Sequence, residues 1–182
     1  MALWIILIVL AILIIAFISI YNSLVGLRNQ SEEANAAVDA HLKQRYDLIP
    51  NLVETVKGYT KHEEGTLTAV IAARNAAMTA TGFEDKQKAE NVLSGTLKSL
   101  FALTEAYPDL KANASFLNLQ NQLQKIETDL LSARKYYNAV IKNLNNKIDM
   151  FPSNLVAKMG KFEKKSYIEI ENEARARVDV KF

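Results

Sequence analysis

From Ala2 to Leu27 the chain reads ALWIILIVLAILIIAFISIYNSLVGL, without one charged side chain. Its apolar core, Ala2 to Ile20, is about the ~20 residues that a bilayer-spanning helix needs. A cleaved signal peptide is the rival reading. It wants a positive n-region, a shorter apolar stretch and a small-residue cleavage site. No Lys or Arg precedes this run, and it is too long, so a retained anchor is expected over residues 1–26. Trp4 and Tyr21 sit at its two ends, as interfacial aromatics would. The nearest basic residues, Arg28, Lys43 and Arg45, all follow the run. The positive-inside rule then puts the N-terminus outside and the body in the cytoplasm, as a single-pass protein of the inner membrane.

The 182 residues allow one domain plus an appendage. Lys and Arg number 22 against 20 Asp and Glu, so no global basic field points to nucleic acid. The chain has no cysteine, which excludes disulfides, zinc-thiolate sites, iron–sulfur clusters and thiol nucleophiles. Six glycines and three prolines argue for long helices with few turns.

Past the anchor the apolar step stays helical through Leu27, Ala34, Val38, Leu42, Tyr46, Ile49, Val53 and Val56. This predicts a first helix over about 27–60 that continues the anchor. Pro50 interrupts the regular segment RYDLIPNLVETVKGY. An interior proline removes one backbone bond and clashes one turn back. A bend or local π-type adjustment is expected there, with Asp47 as a companion that can cap.

TKHE (Thr60–Glu63) has capping-box spacing for a second helix, about 61–80, and Gly82 is a candidate C-cap for it. A third helix is expected over about 84–106. A proline turn, YPDLKAN (Tyr107–Asn113), precedes a fourth over about 113–149. That fourth helix carries Phe116, Leu119, Leu123, Ile126, Leu130, Ala133, Tyr137, Val140, Leu144 and Ile148, a sustained heptad seam.

Without long Gly/Ser linkers the pattern implies an all-α fold. A transmembrane helix continues into a long antiparallel four-helix bundle over 27–150. At ~1.5 Å per residue the first and fourth helices reach roughly 55 Å and the middle pair roughly 30 Å. The end of the fourth helix should therefore return to the membrane-proximal start of the first, and Tyr137 and Asn138 should pack near that half.

Residues 151–182 then form a membrane-proximal amphipathic segment and tail. FPSNLVAKMGKFEKK carries Leu155, Val156, Met159 and Phe162 on one helical face, with Lys158, Lys161, Lys164 and Lys165 as basic companions. Such a segment can lie on anionic lipid. It can equally be a short helix that caps the bundle with solvated lysines. Leu155, Lys158, Met159, Lys161, Phe162, Lys164 and Lys165 are the membrane-contact candidates. YIEIE and VDVKF alternate with a period of two, as short strands or an ordered extended tail would.

No chemistry announces itself. A di-iron bundle needs Glu-x-x-His motifs, but Val38 and Tyr59 stand three before the two histidines, His41 and His62. HEEGT has Thr66 where a zincin needs its second histidine. His62 beside Glu63 reads as a helix-turn pair. EIENE (Glu169–Glu173) reads as a solvated acidic run. No Walker loop, G-x-S-x-G or G-x-G-x-x-G occurs. Neither catalytic residues nor a metal or cofactor are expected, and the chain reads as a non-enzyme.

Several stretches together resemble the LemA family of bacterial membrane proteins: YNSLVGLRN, LKQRYDLIPNLVETVKGYTKHE, AARNAA, YPDLKAN, FLNLQNQLQKIETDLLSARKYYNAVIKNLNNKI and FPSNLVAKMGKF, in that order. The resemblance covers nearly the whole chain. The tail, YIEIENEARARVDVKF, departs from the Phe-Glu-Ala-Glu-Glu-Gly run expected of that family. The resemblance implies a single-pass membrane protein with a cytoplasmic helical bundle and no established enzymatic activity.

Two functions follow as expectations. One is a membrane-anchored helical scaffold that self-associates, organising or shaping the bilayer; its partners are lipid and further copies of itself. The other, resting mainly on the resemblance, is an adaptor for a membrane protease or chaperone.

Overall fold

Apolar periodicity near one helical turn is met by helix over most of the chain. The computed structural model describes residues 1–60 and 62–170. The described residues form α1 (Ala2–Lys57), α2 (Glu64–Thr79), α3 (Phe83–Thr104), α4 (Pro108–Lys111), α5 (Ala114–Asp149) and α6 (Ser153–Met159), with no strand among them. The all-α expectation holds.

α1 is 56 residues long, and its first part is long and apolar enough to cross a bilayer. Every residue from Ala2 to Ser19 is exposed. The first buried side chain is Leu24. The α-helical pattern then passes through Pro50 without a break. No π turn appears at that position.

Two local expectations are corrected. α2 ends on Ala80, not on Gly82; Gly82, with φ 89°, instead opens α3. Its left-handed backbone suits glycine, which has no Cβ to clash there. α2 also starts without a side-chain capping bond, because the helix begins at Glu64 with Glu63 at the cap position; Thr60, three residues earlier, donates its hydroxyl to the Val56 carbonyl at 3.2 Å. Within the expected proline turn, Pro108 sets the single turn of α4 at its favoured first position. Asn113 then caps α5 by accepting the Phe116 N–H at 2.9 Å, and its amide donates to the Tyr59 hydroxyl at 2.8 Å.

The chain divides into two compact units, residues 1–38 with 133–182 and residues 39–132. In the 39–132 unit, α2 and α3 pair as a hairpin, and the C-terminal part of α1 and the N-terminal part of α5 complete four helical segments. Leu42, Ile49, Leu52, Val56, Val70, Leu93, Leu97, Leu100, Phe116, Leu123 and Leu130 are buried there. The Phe101 and Phe116 rings meet at 6.5 Å. Burying one such side chain contributes about 1.5–3 kcal/mol, so this stripe is what holds the unit together.

In the other unit, Leu24 of α1 and Val156 and Ala157 of α6 are buried together, with Ile20, Ile148 and Phe162 packed against them. α6 stops in a Schellman arrangement. The Phe162 N–H reaches the Ala157 carbonyl at 3.0 Å, and the Lys161 N–H reaches that of Lys158 at 3.3 Å. Lys161 takes the left-handed position, φ 52°, usually held by glycine. Gly160 is needed beside it, because a Cβ there would stand 2.7 Å from the Phe162 ring. The turn folds Phe162 back onto Tyr21 with ring centroids 5.7 Å apart, and the Arg28 guanidinium lies 5.6 Å from the same ring.

Candidate functional site

In the 39–132 unit the buried surface is not wholly apolar. Arg45 is 1% exposed and Glu90 3%. Arg45 lies on the stripe set by Leu42 and Ile49, and Glu90 on that set by Leu93 and Leu97, so helix geometry turns both inward. The guanidinium is engaged by three partners. One Nη donates to Glu90 Oε2 at 2.9 Å, the other to Ser94 Oγ at 2.8 Å, and Nε lies 2.8 Å from Glu127 Oε1. Tyr46 donates its hydroxyl to the other oxygen of Glu90. A buried charge is tolerable only when paired and hydrogen-bonded, and this cluster meets that condition for both ions.

The fourth helical segment enters through Arg74 of α2. Its Nε donates to the Tyr46 main-chain carbonyl at 2.7 Å. In a helix, that carbonyl would accept from the N–H four residues on, at position 50. Proline has no N–H, so Arg74 supplies the missing donor. The interior proline is therefore accommodated by an arginine from a neighbouring helix.

Burial holds the Tyr46 phenol above its ordinary value, helped by its bond to Glu90 and the charge there. The folded-state pKa lies above the unfolded one, so the neutral phenol's contribution is intact below about pH 10 and is lost as pH rises beyond it. Burial raises Tyr107 and Tyr137 in the same direction, so the drop has several sources. Tyr46→Phe is expected to remove one share. Urea midpoints of wild type and variant should converge as pH is raised from about 9 to 11. Parallel curves would show that Tyr46 titrates alike in the folded and unfolded states.

In the other unit a second polar device holds the segment after α6. Asn138 donates to the Ile168 carbonyl at 2.8 Å and accepts its N–H at 2.9 Å. Asn145 does the same for Lys165, at 2.9 and 3.0 Å. Tyr137, buried, donates to the Ser166 carbonyl at 3.2 Å. Lys165 Nζ reaches Ser31 Oγ at 2.8 Å. Two asparagine amides thus treat residues 165–168 as a strand would, satisfying the backbone without a sheet.

The candidates named from sequence separate here. Leu155, Lys158, Met159 and Lys161 are exposed. Phe162 is half-buried against Tyr21. Lys164 pairs with Asp149 at 2.7 Å, and Lys165 is the lysine bound to Ser31. Val156 faces the core rather than the face it was assigned. Tyr137 and Asn138 both hold the tail, in the same unit as the first part of α1. Asp47 pairs with Lys43 at 2.8 Å on the surface. Glu171, Glu173 and VDVKF lie outside the described residues.

Glu90, Glu127, Arg74 and Asn145 were not singled out by sequence, and Arg45 only as a positive charge following the anchor. For Arg45 and Glu90 a signal existed: two opposite charges at core positions of their helices. Among the described residues, no three His, Asp or Glu side chains come together as a metal site would require. Both polar clusters join helices or tail to each other, and their groups are engaged by one another.

Comparison with known proteins completes the description. A similar protein is Protein LemA of Metamycoplasma hominis, 26% identical over 140 residues, which are 75% of this chain and 63% of that protein. The chain therefore spans under two thirds of the length of that curated relative. A family model for the LemA family matches residues 34–182, which takes in Arg45, Pro50, Arg74, Glu90, Asn138 and Asn145. With most of its length matched, the chain belongs to the LemA family.

Proposed function

We propose that the chain is a non-enzymatic helical scaffold, anchored in the bacterial inner membrane by the start of α1 with its body in the cytoplasm, that self-associates there and organises the bilayer. One observation carries this reading: the exposed apolar run and the packed residues belong to a single unbroken helix. A flexible linker would isolate a body from its anchor, whereas a continuous helix transmits the anchor's orientation to whatever packs on it. That coupling suits a part whose job is mechanical. Two polar clusters committed to internal bonds, around Arg45 and around Asn138 and Asn145, support the same reading. Apolar side chains outside the run, Leu117 and Leu131 of α5, are exposed and offer surface for contacts between copies.

The test is the mass of the full-length protein in mild detergent, by light scattering corrected for bound detergent. A large discrete assembly is the expected result. A monomer would overturn self-association and favour the adaptor alternative, a membrane protease or chaperone held by the body, to be sought by crosslinking.

A further inference from the structure

Among its described residues, the unit formed by residues 1–38 and 133–182 leaves an apolar surface uncovered besides the long run. In the turn after α5 and along α6, Met150, Phe151, Leu155 and Met159 are all exposed, Phe151 at 79% and Met159 at 73%. Large apolar side chains clustered in so short a segment mark a surface that meets something apolar. Their opposite face, Val156 and Ala157, is already packed on Leu24, so this patch is not a misplaced core.

Its position names the partner. Gln30 of α1 donates to the Tyr136 hydroxyl of α5 at 3.0 Å, while Ile148, further along α5, packs with Ile20 and Leu24, further back along α1. The two helices therefore run antiparallel in this unit. The Met150–Phe151 turn lies beyond Ile148, on the side toward the N-terminus, beside the charge-free run. Arg28 is the first charge after the run and leans on Phe162, and Lys158 and Lys161 are exposed on α6 and in the turn after it. Exposed apolar side chains next to a span, with exposed cations on the same short helix and turn, are the pattern of a segment lying in the membrane interface.

We infer that the α5–α6 turn and the outer face of α6 form an interfacial foot, in which Met150, Phe151, Leu155 and Met159 enter the headgroup–acyl boundary while Lys158 and Lys161 meet lipid phosphates. The foot rests on the reading that the start of α1 spans the bilayer, and it gives the unit a second point of attachment. Two points fix rotation about the helix axis, which a single span leaves free. Lys164 and Lys165 have no part in it, because Asp149 and Ser31 hold them.

The full-length protein is tested in vesicles of phosphatidylcholine and phosphatidylglycerol carrying nitroxide-labelled acyl chains. Trp4 is the chain's one tryptophan and reports the span. The Trp4→Phe/Phe151→Trp variant reports the foot, and Trp4→Phe/Val92→Trp serves as a solvent-exposed reference. For the foot, a blue-shifted emission is expected, with shallow nitroxides quenching it and iodide quenching it roughly threefold less than the reference. Emission at position 151 that matches the reference in both respects, with Trp4 still quenched by lipid, would overturn the foot and leave the span standing. Loss of lipid quenching at both positions would overturn the foot and the membrane-anchor reading together.

Discussion

Arg45→Met is expected to destabilise the protein by about 3–5 kcal/mol, the range for removing one partner of a buried ion pair. The loss is not the worth of the pair. Methionine fills much of the arginine's volume, but it leaves the Glu90 carboxylate inside without its guanidinium counter-ion. Adding Glu90→Gln removes that charge and keeps an acceptor for Tyr46. The double variant should therefore recover about 2 kcal/mol or more of the single variant's loss, since a neutral buried amide is far less costly than a buried carboxylate that has lost its arginine. Urea unfolding of the full-length protein in detergent, followed by far-ultraviolet circular dichroism, measures both. A single variant within about 1 kcal/mol of wild type would show that water reaches Glu90 and that its burial is not what the helices enforce.

The second large effect concerns Arg74 and Pro50. Arg74→Met should cost about 1.5–3 kcal/mol, the range for a hydrogen bond from a charged group, because the Tyr46 carbonyl then has neither a helical donor nor an arginine. In a Pro50→Ala background the alanine supplies the N–H that proline lacks, and the same substitution should cost less than about half as much. That difference is the coupling between a missing donor and its replacement. Equal costs in the two backgrounds would mean that Arg74 matters for other reasons, its contact with Asn75 among them.

Much of the fold was legible because helix packing writes itself into spacing. Leu123, Leu130, Tyr137 and Leu144 recur every heptad, and all four are buried. The continuity of α1 was legible too, since nothing between Leu27 and Lys57 except Pro50 argues for a stop. What spacing could not convey was which polar residues cross between helices. Arg45 and Glu90 sit on core stripes, yet their partnership depends on two helices 45 positions apart meeting at one level. Arg74 is harder still: the deficit it fills is readable at Pro50, but its donor is set by tertiary approach. Gly82 was misassigned because a glycine between two helices serves the end of one and the start of the next equally well by sequence. In α6 the helical wheel was drawn through Val156 and Phe162. The actual inward face includes Ala157, since a short helix has too few turns for its apolar stripe to be distinguished from its neighbour.

The asparagine pair on α5 also acts as a gauge between two kinds of backbone. Asn138 and Asn145 are one heptad apart, about 10.5 Å along a helix; Lys165 and Ile168 are three residues apart, about 10 Å along an extended chain. One heptad of helix thus matches three residues of strand, and each rung grips main-chain atoms alone. Side chains between the rungs can change without touching the grip, whereas inserting or deleting a single residue there throws the two scales out of phase. Among the described residues the gauge has two rungs, and length, rather than composition, is the quantity it reads in the tail.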